Sequence, residues 1–339
     1  MLLTLPLLAL LLCAGIVVSS SMGYIALTFG DVFRVIWFSI FGYPQAASAV
    51  DPLFTTVVMD VRLPRILTAA AVGGGLAVSG VIFQGILLNP LADPYTLGIS
   101  AGAAFGASLA LLLNVGFMGA WSVPLFAFAG AVLTLLFVMY LSATAGGYSS
   151  SNLILSGIIV AAILSAALSF IKYLADEQVA VIIFWLMGSF ASRTWADVAL
   201  TTLALCGGTA VFLYFARDLN LASFGNRTAA SLGMNTRSVP VILLVTASLL
   251  AAVCVCVSGI IGFVGLLVPH MVRMVTGPDN RKLIPLSVLT GAILLMAADT
   301  ITRAVLPAEI PIGVLTALIG GPVFCYIFRK RQTGMRMQS

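Results

Sequence analysis

Repeated apolar runs of about 20 residues constrain this chain more than any other feature. Such a run is long enough for a helix to cross the hydrocarbon core of a bilayer, which is roughly 30 Å thick. The mean hydropathy is +1.16 and only 8% of the residues are charged, too few for a soluble globule. Backbone polar groups in lipid must be satisfied within the protein, and these runs are too long for barrel strands. The sequence therefore predicts an all-α integral membrane protein.

The runs and their breakers predict a single membrane domain, residues 1–339, with about ten spans. The predicted spans are 2–21, 66–87, 95–114, 122–143, 152–172, 195–216, 239–260, 263–275, 284–306 and 311–328. The first run lacks a basic flank and a good cleavage site, so we expect a retained helix rather than a signal peptide. Residues 22–61 form a predicted long loop in which "DVFRVIW" is an interfacial helix. Residues 173–190 are predicted to form a short helix or a re-entrant segment.

The positions of Lys and Arg predict the orientation. If the N-terminus is cytoplasmic, the inner segments carry the larger share of these residues: Arg217, Arg227, Arg237, Arg273, Arg281, Lys282, Arg329, Lys330, Arg331 and Arg336. The outer segments then carry a smaller set: Arg34, Arg62, Arg65, Lys172, Arg193 and Arg303. Because basic residues are retained on the cytoplasmic side, this excess favours an N-in/C-in topology.

The chain also carries an internal repeat. The segment "VSGVIFQGILLNP" (78–90) aligns with "VSGIIGFVGLLVP" (257–269). An odd number of predicted spans separates the two segments, so the copies point in opposite directions. We therefore predict an inverted repeat of spans 2–5 and 7–10, with halves at about 62–172 and 239–328. Inverted repeats whose helices are broken by Gly and Pro are typical of transporters.

Enzyme chemistry has little support in these residues. His270 is the one histidine, and no phosphate-binding loop or nucleophile–base motif is present. The five cysteines all fall in apolar runs, which indicates packing residues rather than a disulfide framework or a metal site. We therefore expect a chain that is not an enzyme and that binds no metal or cofactor of its own.

Asp299 is the acidic residue placed well inside a predicted span. Arg303 follows it by four residues, so the two side chains share a helix face. An internal ion pair makes both charges tolerable in lipid, and a role in ion coupling is the alternative. The shortage of other buried acids favours a transporter whose energy comes from elsewhere.

A polar segment, "NLASFGNRTAASLGMN" (220–235), interrupts the apolar sequence near its middle. It is predicted to form two short helices with a glycine break, on the cytoplasmic side. Ser223 or Asn226 can cap a helix start, and Gly233 can end one. The small residues Ala229, Ala230 and Ser231 offer a surface that another protein can approach closely. A solvated connecting loop is the alternative interpretation.

Four stretches taken together resemble a known family. They are "RLPRILTAAAVGGGLAVSGVIFQGILLNPLADPYTLGISAGAAFGA" (62–107), "ASFGNRTAASLGMN" (222–235), "SGIIGFVGLLVPHMVRM" (258–274) and "AADTITR…EIPIGVLTALIGGPVF" (297–324). In this order they are similar to the permease subunit of type II ABC importers, the FecCD-like and cobalamin-permease-like group. That group imports iron–siderophores, haem and cobalamin. The resemblance extends from about residue 55 to residue 328.

The resemblance implies a multi-pass protein of the cytoplasmic (inner) membrane and a set of partners. These are a second permease subunit, either identical or a similar paralogue, two ATPase subunits that bind ATP and Mg²⁺, and an extracytoplasmic binding protein. It places the ATPase-coupling element in the loop at about 217–238. The residues implied to contact the ATPase are Ser223, Gly225, Arg227, Thr228, Ala229, Ala230, Leu232 and Gly233.

The resemblance also implies two outer sites. Arg62, Arg65 and Arg303 match arginines that pair with acidic residues of a docked binding protein, whereas anchoring to lipid headgroups is the alternative. A substrate pathway is implied at Gln84, Asn89, Gly98, Ser100 and Arg193. Arg193 can meet anionic groups of a substrate, or it can anchor the interface beside Trp195.

The function expected from all of this is ATP-driven import of a metal chelate, with iron–siderophore or haem first. Cobalamin is the nearest alternative, and oxyanions such as molybdate are a minority cargo of the group. An ion-coupled secondary transporter with inverted repeats stays open as a rival. An intramembrane enzyme or a sensor without transport is the rival from another class.

Overall fold

The structure is a computed structural model that describes residues 4–23, 25, 27–41, 52–304 and 309–336. Every regular element within these ranges is helical. The α-helices, numbered in chain order, are α1 Thr4–Ser21, α2 Phe29–Phe41, α3 Pro52–Thr56, α4 Leu63–Ile86, α5 Ile99–Leu112, α6 Ser122–Thr144, α7 Ser150–Leu174, α8 Val179–Leu186, α9 Trp195–Tyr214, α10 Ala216–Ala222, α11 Asn226–Ser231, α12 Ser238–Ser258, α13 Val264–Thr276, α14 Asn280–Ala304 and α15 Ile312–Arg336. The all-α prediction is confirmed.

Seven helical segments of the described chain are long and apolar enough to cross a membrane. They include α1, α6, α7, α9, α12, α14 and the continuous stretch Pro52–Ile86 that ends in α4. Three shorter apolar helices, α5, α13 and the Ile312–Tyr326 part of α15, match the remaining predicted spans, with α13 extending one residue beyond its span. Every predicted span therefore contains an apolar helix. Residues 2–3 of the first predicted span and 305–306 of the ninth lie outside the described residues.

The connection between the first two spans is more ordered than a long loop. The predicted interfacial segment forms α2, and the predicted short helix within 173–190 is present as α8. The prediction that residues 22–61 are one loop is wrong at its end. Pro52–Thr56 is helical, and a π-helical turn at Val57–Arg62 leads directly into α4. Pro64 is compatible with the first turn of α4, because proline lacks a backbone N–H and the N–H groups of a first helical turn have no partner within their own helix.

Helix α4 is the centre of the bundle and is buried along almost its whole length. It packs against α9, α12, α13 and α14. Small residues allow this, because a Cβ on Gly73 or Gly80 would collide with the backbone of Gly291 in α14 or of Gly265 in α13. Close backbone approach through small residues is the usual way in which helices associate in lipid. The glycine-rich sequence of α4 is therefore a packing surface.

Helices α5 and α6 form a second tight pair. A Cβ on Gly102 would collide with the carbonyl oxygen of Gly130, and one on Gly106 with that of Phe126. Gly102 and Gly106 are one helical turn apart, so together they let the two backbones approach closely. Helices α6, α7 and α9 turn much of their surface outward, as Leu133, Leu155 and Leu203 show. Those apolar faces suit contact with lipid or with another membrane protein.

The two copies of the aligned repeat segment differ in conformation. Helix α12 ends at Ser258, and Gly259 has a φ of +73°, so the chain leaves the helix at this point. Gly80, which aligns with Gly259, is helical, and α4 continues to Ile86. Both segments therefore contain the end of a helix, but at different points: α12 ends two residues into its segment, whereas α4 ends late in its own, next to the predicted span limit at residue 87. The break in the first half comes later, where Leu88 has a φ of +49°.

Candidate functional site

The bundle has two ends that carry different polar groups. The arginine end is defined by Arg62, Arg65, Asp299 and Arg303, where α1 and α14 finish and α4 begins. The loop end is defined by α10 and α11, where α9 finishes and α12 begins. Trp195 at the start of α9 donates its indole N–H to the Met59 carbonyl at 3.0 Å, which fixes α9 to the arginine end.

An ion-pair network lies at the arginine end. Arg65 binds Asp299 in a bidentate manner, with Nε at 3.0 Å from Oδ2 and Nη2 at 2.8 Å from Oδ1. The same Nη2 contacts the Glu309 carboxylate at 2.5 Å. Arg303 approaches Asp299 at 3.7 Å, so the predicted pair between residues four apart in α14 is present. Because Asp299 is only 1% exposed, its charge is matched by arginines rather than by water.

Two of these arginines also cap α1. Helix ends leave carbonyl groups without intrahelical donors. Arg303 donates to the carbonyls of Ser19 and Met22 at 2.5 and 2.7 Å. Arg62 donates to the carbonyl of Ser20 at 2.7 Å and to the carbonyl of Ile25. The guanidinium groups thereby hold the end of α1 and the following segment against α4 and α14.

The three arginines predicted to dock a binding protein are mostly covered within the chain. Arg62 is 6% exposed, so its side chain does not face a partner in this conformation. The physical reason is the need of the α1 carbonyls for donors, which the sequence could not show. Arg65 and Arg303 are also largely covered, at 12% and 9% exposed. Glu309 is the exposed member of the network, at 47%.

A cavity of about 450 Å³ opens beside Arg193, near the arginine end. Its wall mixes aromatic residues such as Trp121 and Trp185 with polar groups such as Ser189 and Asp197. Arg193 is fixed in this wall, because Nη1 donates to the Val257 carbonyl at 2.6 Å and Nε to the Ala191 carbonyl at 3.1 Å. Burial lowers the pKa of the Arg193 guanidinium, and the nearby Asp197 opposes that shift.

A second cavity of about 330 Å³ is almost purely apolar. It lies between α13, α14 and α15, and its wall includes Phe263, Leu294 and Ile319. Phe263 adopts a φ of +68° at the start of α13, and its ring packs against Gly320 of α15. A non-glycine residue in this conformation is uncommon and marks a backbone that its surroundings hold in place.

The breaks of the two halves meet inside the bundle. The Tyr95 hydroxyl, from the turn before α5, donates to the Ile261 carbonyl and accepts from the Ile261 N–H at 3.2 Å. Asp93 caps the same turn by accepting from the N–H groups of Tyr95 and Thr96 at 3.1 and 3.0 Å. Both backbone groups of Ile261 are satisfied by one side chain, so the unwound segment after α12 is held in a fixed position.

The remaining residues predicted on the substrate pathway are spread along this region. Gln84 donates to the Leu266 carbonyl at 3.2 Å and accepts from Arg273 at 2.9 Å, which links α4 to α13. Asn89 accepts from the N–H of Leu91 at 2.9 Å in the turn after α4. Gly98 is buried with a φ of +75°, and Ser100 is partly exposed in the first turn of α5. The two cavities described above are lined by other residues.

The loop end presents the predicted pair of short helices, α10 and α11, separated by Gly225. Gly225 itself precedes α11 with a φ of +85°, and the Ser223 hydroxyl donates to the carbonyl of Asn220 within α10. The capping role predicted for Ser223 or Asn226 is therefore wrong, because no side chain caps α11. Gly233, with a φ of +93°, does end α11 as predicted.

The end of α11 is a Schellman motif. The N–H of Gly233 donates to the Ala230 carbonyl, and the N–H of Met234 donates to the Ala229 carbonyl, both at 3.0 Å. The buried side chains of Ala229 and Met234 accompany these bonds. The prediction that Ala229 offers a surface to a partner is wrong, because its side chain is fully buried beneath the loop.

The other predicted coupling residues form an outward surface on α11 and on the residues that flank it. The exposed positions are Ser223, Arg227, Thr228, Ala230, Leu232 and Gly233, with Gly225 partly exposed. Leu232 is 57% exposed and Phe224 is 65% exposed, so the polar loop also carries two apolar side chains in solvent. An exposed apolar patch with a polar rim is typical of an interaction surface.

Comparison with known proteins identifies the class as a helical transport permease. A haemin transport permease of Yersinia pestis is 37% identical, over 93% of this chain and 92% of its own. A cobalamin import permease of Halobacterium salinarum is 42% identical, over 86% of this chain and 76% of its own. A solved metal-chelate-type ABC transporter, in an inward-facing conformation, matches with a TM-score of 0.84 and 34% identity. That match covers 96% of this chain and 98% of the solved chain.

The FecCD transport family model matches residues 10–330. The chain therefore belongs to the FecCD transport family, whose members are permease subunits of ABC transporters. This agrees with the resemblance drawn from its motifs. The relatives described above are ABC permease subunits, which are transport components rather than catalysts.

Three long-range contacts have no signal in the local sequence. They are Arg65 with Asp299, Tyr95 with Ile261, and Asn220 with the residues that precede and begin α14. Each joins residues more than 50 positions apart, so no local spacing could reveal it. The single available signal was the isolated charge of Asp299 in an apolar span, which requires a partner.

Proposed function

We propose that this chain is the membrane-spanning subunit of an ATP-driven importer that carries a metal chelate into the cytoplasm. The observation that supports the proposal most is the surface of α11, which is exposed, small and glycine-bounded, at the end of a bundle that belongs to this permease family. The chain contains no phosphate-binding loop of its own, so the ATP chemistry belongs to a separate ATPase subunit.

The proposed topology has ten crossings with both termini in the cytoplasm. The loop end is the cytoplasmic side, where two ATPase subunits bind, and the arginine end is the outer side, where a binding protein delivers its cargo. A second permease subunit, identical or closely similar, completes the pathway. The excess of Lys and Arg at the loop end supports this orientation.

Docking of the binding protein is proposed at the Arg65–Glu309 pair. Glu309 is the exposed partner, so an acidic side chain on the binding protein can take its place on Arg65. Because such an exchange replaces one carboxylate on Arg65 by another, it conserves the charge balance there and costs little free energy. Arg303 and Arg62 stabilise the surroundings of this pair, because they donate to carbonyls at the end of α1.

The cargo is proposed to be a metal chelate, with iron–siderophore or haem first and cobalamin as the alternative. Arg193 supplies a cation in the wall of a cavity with aromatic sides, which suits a planar ligand that carries carboxylates. The two relatives described above carry cobalamin and haemin at similar identity, so overall similarity does not select between them.

The function is tested by reconstitution in proteoliposomes with the ATPase subunit and the loaded binding protein. Chelate uptake is expected to require ATP hydrolysis. Ala230→Trp, on the exposed face of α11, is expected to lower uptake by more than about tenfold, equivalent to about 1.4 kcal/mol of lost binding, because the larger side chain blocks the ATPase contact. Ala145→Trp is the matched control, since Ala145 is exposed at the same end but lies in the α6–α7 turn.

Two outcomes would contradict the proposal. Uptake that continues without ATP and follows a proton or sodium gradient would instead establish the secondary transporter. Equal uptake by the Ala230→Trp variant and the control would remove α11 from the ATPase contact. The environment of Asp299 argues against ion coupling, because its carboxylate is already neutralised by Arg65 and Arg303.

A further inference from the structure

Asn220 lies at the end of α10, next to the surface assigned above to the ATPase. Its neighbour Leu219 is 2% exposed and packs on Gly85 near the end of α4. Asn220 itself points to a different helix. Its side-chain amide faces the two residues at which α14 begins, Asp279 and Asn280.

The amide of Asn220 uses both of its ends in this contact. Nδ2 donates to the Asp279 carboxylate at 2.8 Å. Oδ1 accepts from the backbone N–H of Asn280 at 2.9 Å and from its side-chain Nδ2 at 2.8 Å. The backbone N–H of a first helical residue has no partner within its own helix. Asn220 therefore caps α14 from another part of the chain.

The hydrogen bonds between Asn220 and the start of α14 are strong for a contact made by one side chain. One of its bonds is charge-assisted, because Asp279 accepts as a carboxylate, and such bonds are roughly twice as strong as neutral ones. The amide of Asn220 lowers the pKa of the Asp279 carboxyl group, which is the shift expected when the ionised form is the acceptor. Asn280 is 7% exposed, so the three bonds are not readily replaced by water.

Helix α14 connects this contact with the arginine end. It runs without interruption from Asn280 to Ala304 and carries Asp299 near its far end. A helix of that length spans about 37 Å at 1.5 Å per residue. If α10 moves at the loop end, it therefore moves α14 with it, and α14 reaches the Arg65–Asp299–Glu309 network.

We infer that Asn220 is a positioning residue that joins the ATPase-coupling loop to α14, so that movement of the loop becomes movement of a transmembrane helix. The inference rests on the proposed function, since it assigns a route to the coupling proposed there. Leu219 and Asn220 divide the task, the first holding α10 to α4 and the second holding it to α14. Arg227, Thr228 and Ala230 remain on the outward face for the ATPase.

An exchange of donor and acceptor tests this role. Asn220→Asp keeps the acceptor for Asn280 but places a second carboxylate against Asp279. The double variant with Asp279→Asn restores one amide facing one carboxylate. We expect Asn220→Asp to lower the amount of chelate imported per ATP hydrolysed by about tenfold. The double variant is expected to recover the ratio to within about twofold of the unchanged protein, since the interaction is pairwise.

The controls separate a transmission role from simple stability. Ser151→Asp adds a negative charge at the loop end, at an exposed position in the first turn of α7, and is expected to leave the ratio unchanged. Asn220→Ala removes the contact without adding a charge and is expected to lower the ratio, which keeps the test valid if Asn220→Asp does not assemble. Thermal unfolding of each purified complex shows that the compared complexes are folded.

The outcomes distinguish this inference from the function on which it rests. An unchanged ratio in both Asn220 variants, or no recovery in the double variant, would overturn the role of Asn220 and leave the importer function intact. If the unchanged protein imports chelate without hydrolysing ATP, the proposed function fails, and the inference fails with it.

Discussion

A single carboxylate, that of Asp299, holds together the charges at the arginine end. It lies between Arg65, which binds it through two nitrogen atoms, and Arg303 one helical turn away. The end of α1 lies nearby, and Arg303 and Arg62 donate hydrogen bonds to its backbone carbonyls. Removing the carboxylate would leave cations packed together without compensation, which is far more costly than losing one ion pair in water.

Asp299→Ala is therefore expected to lower the free energy of unfolding by about 3–5 kcal/mol. The measurement is thermal unfolding of the purified protein in detergent, followed by tryptophan fluorescence. Glu309→Gln is the control, because Glu309 contacts the same Arg65 but is 47% exposed, and an exposed pair contributes about 0–1 kcal/mol. Equal loss of stability in the two variants would mean that Asp299 is not the centre of the network.

At this scale the sequence predicted one contact and missed the others. The pairing of Asp299 with Arg303 follows from a spacing of four residues on one helix. The pairing with Arg65 depends on the packing of α14 against α4, which no local pattern encodes. Ala229 shows the same limit in the coupling loop. A small residue suits an exposed contact and a tight interior equally well, and the Schellman turn after α11 places it in the interior.

Elements are where the sequence was most informative. Runs of apolar residues fix the existence of the helices, because each run is long and its breakers are clear. The ends are less certain, since helix continuation depends on what the backbone meets. Gly80 stays helical because Gly265 of α13 packs directly on it, whereas the aligned Gly259 adopts a positive φ and ends α12. The same sequence motif thus serves a helix contact in one half and a helix end in the other.

This contrast makes Gly80 a sensitive position. Gly80→Ala places a Cβ against the carbonyl of Gly265 and forces α4 and α13 apart, so we expect a loss of about 1–3 kcal/mol or more in stability. Gly207→Ala is the control, since it is also within a helix, α9, but has no atoms near the added Cβ. Thermal unfolding of both variants in detergent checks the expectation, and an unperturbed Gly80→Ala protein would show that the two helices do not pack this closely.

The whole molecule separates its polar groups by end. The arginine end concentrates side chains that are paired within the chain, and the loop end carries exposed ones such as Arg217, Arg227 and Arg237. Arg62, Arg65 and Arg303 belong to the outer residues that weaken the charge asymmetry. Their place there has a structural reason, because each binds a carboxylate or a backbone carbonyl within the protein. The exposed arginines at the loop end favour a cytoplasmic location for that end.

Labelling of single cysteines tests this orientation. In a variant whose native cysteines are replaced, Phe117→Cys introduces a thiol between α5 and α6 at the arginine end, at a position 72% exposed. Thr228→Cys introduces one on the exposed face of α11 at the loop end. A membrane-impermeant maleimide added to intact cells is expected to label Phe117→Cys and to label Thr228→Cys only after the membrane is opened. The reverse pattern would place the coupling loop outside the cell, where an ATPase subunit has no ATP, and would exclude the importer proposed for this chain.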